Sequence, residues 1–188
     1  DFTGSPYGLI ATAVDTLPQK VAFPFALINK PDRAHDGVPA GYNEIFPGWV
    51  LSDNLYMVLR NEGKYKKRNK AKRTAFVFDV FRKDIIEMIA AARDRLEGVA
   101  SRKKLYLESD VPGLGKNFML EASRTKGIET YNLFLEYYAL QGLAARAALL
   151  AGRGDKRGVA SIYDDATDDP DWEHRRSVLR SEGHGTRS

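Results

Sequence analysis

The stretch from Ile128 to Ala151 constrains this chain more than any other. Ile128, Tyr131, Leu135, Tyr138 and Leu149 recur along one helical stripe, and Phe134, Tyr137 and Leu140 along another. A helix that is apolar on nearly all sides has to be covered on more than one face. The chain must therefore surround this helix with layers of its own or place it between subunits. Gly152 is a natural terminus for it.

At 188 residues a single domain is the default. An apolar share of 43% can supply a core, and a charged share of 29% is that of a soluble protein. No apolar run approaches the roughly 18 residues of a membrane span. There is no cysteine, which excludes disulfides, thiol nucleophiles and cysteine-based zinc sites and fits a reducing, cytoplasmic setting. No basic start precedes a short apolar core, so no signal peptide is visible. The chain opens at Asp1 and not at a methionine, which reads as a fragment of a longer protein.

The net charge of +4 is uneven. From Gly152 onward seven basic residues face eight acidic ones, which leaves +5 for the rest of the chain. Seven basic groups fall between Lys64 and Arg73 alone. The positive character is a patch and not a general property.

Taken in order, Leu9–Leu17 has a period-two strand pattern through Ile10, Thr12, Val14 and Thr16. Val21–Asn29 is a second apolar run, which Pro24 restricts to an edge strand or coil. Lys30–Gly48 reads as an irregular connection rich in Pro and Gly. From Trp49 the pattern turns helical, with Leu51, Leu55, Val58 and Leu59 on one face and Gly63 as its expected end. Thr74–Phe81 reads as extended. Asp84–Leu96 is the cleanest helix, with a stripe of Ile85, Ile89, Ala92 and Leu96, a capping-box pair in Asp84 and Glu87, and Gly98 as its stop. Leu105–Leu107 suits a short strand, VPGLG (Val111–Gly115) a turn, and Asn117–Arg124 a helical piece broken near Gly127. In the polar tail, Asp169 and Pro170 suit a cap and first turn.

Several pieces in this order resemble a family of large bacterial hexapeptide-repeat proteins. They are Pro24-Phe25, Trp49, Asn54-Leu55-Tyr56, Arg60-Asn61, Lys64-Tyr65, Arg68, Glu121-Ser123-Arg124, and Tyr131 with Tyr137-Tyr138. The likeness runs from about Ser5 to Leu143. It implies that the chain is the C-terminal attachment of a left-handed β-helix, of the kind found in acyltransferases and sugar-nucleotide transferases. Ala122 departs from the family pattern, which has Asn there. No established reaction comes with the resemblance.

Arg60, Asn61, Lys64, Tyr65 and Arg68 crowd polar groups behind an apolar helix face. Arginine offers paired bonds to phosphate or carboxylate and lysine a point charge, so the cluster suits an anionic small-molecule ligand. The bland reading is a solvated helix end, where basic residues are favoured anyway. Glu121, Ser123 and Arg124 suit either a polar group facing that cluster or a buried ion pair fixing the helical layer. Ser123 sits in no G-x-S-x-G elbow. His35 is the one histidine in the resembling part and the sole candidate base, though in HDG it reads more readily as a turn residue. No metal-ligand spacing is visible, and the sequence does not say which cofactor is used. The run 64–73 has one possible stacking ring, Tyr65, so an exposed charged loop is favoured over nucleic-acid binding.

The expectation is therefore an α+β protein: a short β portion at 1–29 that forms the last coil of a β-helix, a mainly helical module at 30–151, and a flexible polar tail at 152–188. The expected function is binding or transfer of a sugar, sugar nucleotide or other phosphorylated small molecule. The alternative is a non-enzymatic module that forms homo-oligomers through the Ile128–Ala151 helix.

Overall fold

A computed structural model describes residues 3–17, 20–73, 77–154, 158–164 and 167–181. The fold is α+β, with six helices and a five-stranded mixed sheet among the described residues. The strands are β1 (Leu9–Ile10), β2 (Leu27–Asn29), β3 (Asn43–Phe46), β4 (Leu105–Tyr106) and β5 (Asn117–Leu120). Their order in the sheet is β1-β2-β3-β5-β4. The β portion is thus not confined to residues 1–29. Two of its strands come from the start of the chain and three from the module expected to be mainly helical, where β4 falls on the strand expected at Leu105–Leu107.

Several local expectations change for identifiable reasons. The period-two pattern of Leu9–Leu17 yields only β1, which pairs parallel with β2. Pro24 lies outside β2, so β2 is free to sit between two partners, parallel to β1 and antiparallel to β3. β3 arises inside the connection read as irregular, and β5 replaces the expected helical piece at Asn117. These two strands pair in parallel across Asn43–Asn117 and Glu44–Phe118. There the buried Asn43 side-chain amide donates to Asn117 Oδ1 at 3.2 Å and to the Thr16 carbonyl at 3.0 Å. Buried amides satisfied in this way hold a short pairing in register.

Six helices follow: α1 (Trp49–Asp53), α2 (Leu55–Arg68), α3 (Lys83–Glu97), α4 (Glu121–Gly152), α5 (Val159–Tyr163) and α6 (Pro170–Ser181). Helix α3 buries Ile85, Ile86, Ile89, Ala92 and Leu96 and ends at Gly98. It starts at Lys83, so Asp84 falls in its first turn, paired with Arg82 at 2.8 Å, and no side-chain cap forms. Helix α4 does not break at Gly127. That glycine is buried where a Cβ would come within 3.0 Å of Pro47 and 3.1 Å of Leu96, so it marks a close approach inside a continuous helix. The VPGLG segment does turn. The Glu108 carboxylate accepts the N–H groups of Gly113 and Gly115, both of which hold positive φ.

The chain divides into two compact units, Asp1–Tyr131 and Asn132–Ser188. In the first, Phe23, Phe25, Ile28, Ile45, Ile85, Ile86, Ile89, Leu96, Tyr106, Phe118 and Tyr131 are almost wholly buried. The Tyr131 hydroxyl donates to the Pro24 carbonyl at 2.7 Å. In the second unit, Ile162 and Trp172 pack with Leu150, flanked by Leu143 and Ala147. Asp169 caps α6 as expected, accepting from Asp171 N at 3.0 Å and Trp172 N at 3.3 Å. Gly142 leaves room for Arg175, whose guanidinium lies 4.1 Å over the Tyr138 ring.

Candidate functional site

Helix α2 builds the site. It runs five residues past Gly63, the position expected to end it, because contacts beyond the helix hold its last turns. Lys66 bonds Glu62 one turn back and Asp79 at 2.6 Å, and the Tyr65 ring lies 4.2 Å from that of Phe78. Asp79 above all, then Glu62, raises the Lys66 ammonium above the ordinary lysine range, while Lys66 lowers Asp79. The basic last turn of α2 also suits the negative end of the helix dipole.

Lys64, Tyr65 and Arg68 lie three, four and seven residues past Asn61 and so share a face of α2. They line an open basic hollow of about 510 Å³, together with Asn69 and Lys70. The side chains of Lys64, Arg68 and Lys70 have no ion-pair or hydrogen-bond partner among the described residues. Asn61 and Tyr65 also line a second groove of about 330 Å³. Its walls include Tyr7, Met57, Val58, Glu62, Val77 and Phe78. A mostly apolar groove and a cationic hollow therefore meet at Asn61 and Tyr65.

The Tyr7 wall is unusual. Tyr7 and Phe25 both hold positive φ, at 60° and 57°, and their rings stack at 4.9 Å with only 10° between planes. Such backbone is costly for residues with side chains and persists where the surroundings over-determine it. The Tyr7 hydroxyl accepts from Arg82 Nη1 at 3.2 Å.

The remaining sequence candidates lie elsewhere. Arg60 is exposed and lines neither hollow; one step along α2 turns it about 100° from Asn61. His35 has its ring against Phe118, with centroids 5.0 Å apart, and its carbonyl accepts from Val38 N to close the HDG turn. Glu121 and Arg124 bond each other at the start of α4. Arg124 donates from Nε and Nη2 to the two Glu121 oxygens at 2.7 and 2.8 Å, and from Nη1 to the Leu96 carbonyl at 2.6 Å. Tyr106 donates its hydroxyl to Glu121 Oε2 at 2.6 Å. This is the ion pair of the alternative reading, with Arg124 buried and Glu121 half-buried. It ties α4 to the end of α3. Of the residue pair Ser52 and Ser123, with Lys126, a third hollow is formed beside Trp49, where Lys126 pairs with Asp53 at 2.7 Å.

The Arg124 hydrogen bond, aided by that of Tyr106, holds the Glu121 carboxyl at about 2, against an ordinary 4.5. Its folded value lies below its unfolded one, so its contribution to stability is complete above about pH 5 and drains away as pH falls toward 2. Urea unfolding followed across that window should show the loss, and Glu121→Gln should flatten it. An unchanged acid limb in Glu121→Gln would exclude this linkage.

No group of three or more His, Cys, Asp or Glu that could hold a metal ion occurs among the described residues. No helix among them is long and apolar enough to cross a membrane. No protein-family model, curated protein or solved structure matches the chain. Sequence reasoning picked out four of the groove-forming residues of α2, and Lys70 within the basic run, but not Tyr7 or Met57. Tyr7 carries no sequence signal, since its role depends on a stack with a residue eighteen positions on.

Proposed function

We propose that the Asp1–Tyr131 unit binds a phosphorylated small molecule with an aromatic or apolar part, a nucleotide or sugar nucleotide being the class that fits. The observation that carries this reading is the meeting of the two hollows at Asn61 and Tyr65. Cations without protein partners at Lys64, Arg68 and Lys70 suit phosphoryl oxygens, since charge-assisted bonds from Arg and Lys are the strong ones. The adjoining groove offers Tyr7, Tyr65 and Phe78 to a base or other flat group. Placement of this unit in a hexapeptide-repeat transferase rests on the resemblance in motif order, and any transfer step would need reacting groups beyond these cations.

Calorimetry with uridine and adenosine diphosphate sugars, coenzyme A and pyrophosphate tests the reading. Lys64→Ala and Arg68→Ala should each weaken the tightest ligand about tenfold, as loss of an exposed charged hydrogen bond would. Arg60→Ala should leave it unchanged. Tyr65→Ala should weaken nucleotides more than pyrophosphate. No binding by any member of the panel, or equal loss in Arg60→Ala, would overturn the assignment. Tighter binding of a single-stranded oligonucleotide, with steep salt dependence, would replace it with nucleic-acid binding through 64–73.

A further inference from the structure

The second unit carries a surface that binding in the first does not use. Along α4 from 132 to 151 the exposed positions are Leu133, Tyr137, Leu140, Gln141, Ala144, Ala145, Ala148, Leu149 and Ala151. None is charged. The exposed positions of α3, by contrast, include Lys83, Asp84, Glu87, Asp94, Arg95 and Glu97. Leu133 is 60% exposed, Leu140 47% and Tyr137 46%, so these are not rims of a filled core. An uncharged helix face of this length, about 27 Å at 1.5 Å per residue, is uncommon on a solvent-facing helix.

Three features identify what covers it. Leu133, Tyr137, Leu140, Ala144, Ala148 and Ala151 succeed one another at steps of four, three, four, four and three. Those steps keep the six side chains on one stripe of a straight helix, a stripe that two helices can bury between them. The seam is also graded, with bulky side chains in its first half and alanines in its second. Placed against a second copy running the opposite way, Leu133 faces Ala151 and Leu140 faces Ala144, so each large side chain meets a small one. A parallel pairing would set large against large and leave alanines facing a gap. Finally, the two polar side chains on this face bond each other, with Gln141 Nε2 donating to the Tyr137 hydroxyl at 2.6 Å, which lowers the cost of drying it.

We propose that this face of α4 is a two-fold homodimer interface in which two copies pack antiparallel, with the axis between Leu140 and Ala144. A patch that is its own complement under two-fold rotation is what a symmetric dimer requires. A seam of six side chains per copy is narrow, and the dimer is expected to dissociate in the micromolar range, on the order of 1–100 µM.

Sedimentation equilibrium of the full chain over that range, with cross-linking, tests it. The expected result is a reversible monomer–dimer equilibrium that shifts to monomer in Leu140→Glu and in Ala144→Glu, with far-UV circular dichroism and melting temperature retained. The natural chain has no cysteine, so single cysteines report geometry directly. A short bifunctional thiol linker should join copies of Leu140→Cys and Ala144→Cys. It should not join copies of Leu133→Cys, whose positions would stand about 27 Å apart along the axis. A monomer throughout, a dimer that persists in both glutamate variants, or efficient linking of Leu133→Cys would each overturn the proposal. The readout is independent of ligand binding in the first unit.

Discussion

Arg124→Ala is expected to lower the unfolding free energy by about 2–3 kcal/mol, the effect of removing a buried guanidinium that bonds a half-buried carboxylate and a backbone carbonyl. Arg124 is 5% exposed, and its guanidinium makes three bonds: two to Glu121 and one to the carbonyl of Leu96. Truncation leaves both acceptors without that partner, and Glu121 keeps the bond from the Tyr106 hydroxyl. It also frees the first turn of α4 from the last turn of α3. Arg124→Lys keeps the charge but not the planar fork, so it should recover only part of the loss. The double variant Glu121→Gln/Arg124→Met should be less destabilised than Arg124→Ala, because no carboxylate is then stranded. Urea unfolding of the three variants decides the matter. A loss below about 1 kcal/mol for Arg124→Ala would place the pair among surface bridges of little consequence.

Glu121 and Arg124 also illustrate what a sequence reveals and what it hides. Their three-residue spacing fits a helical ion pair, and that part was legible. The third partner, the Leu96 carbonyl, lies 28 positions away and leaves no local trace. The same division runs through the fold. Helix α3 was readable because Ile85, Ile89, Ala92 and Leu96 repeat over about three turns, and α6 because Asp169 and Pro170 mark its start. Strands β3 and β5 were missed, since NEIF and NFML are too short to set period two apart from a helical run. They exist because they pair with each other across more than seventy residues. Helix α2 outlasts Gly63 for the same kind of reason: Phe78 and Asp79 support it from outside. Within the site, the helical face of Asn61, Lys64, Tyr65 and Arg68 was visible as spacing. The opposing wall of Tyr7 and Phe78 depends on tertiary placement.

Phe25 should give the other large effect, and the order of its variants is the more searching test. The ring is fully buried, stacked on Tyr7 at 4.9 Å and near Phe81 at 6.2 Å. Phe25→Ala should therefore cost about 3–5 kcal/mol, the range for emptying a buried phenylalanine site. The backbone matters as well. Phe25 holds φ at 57°, its N–H donates to the Pro6 carbonyl at 2.9 Å, and its own carbonyl accepts from Val50 N at 2.9 Å where α1 begins. Those bonds pin the residue in the left-handed region, which costs a non-glycine residue about 1–2 kcal/mol. Alanine inherits that cost and glycine does not. Elsewhere in regular structure glycine is worse than alanine by about 0.5–1 kcal/mol; at position 25 the order should reverse, with Phe25→Gly as stable as Phe25→Ala or more so. Equilibrium unfolding of both variants measures it. If alanine keeps its usual advantage, the backbone at position 25 is not held in the left-handed region, and the cost assigned to it there is wrong.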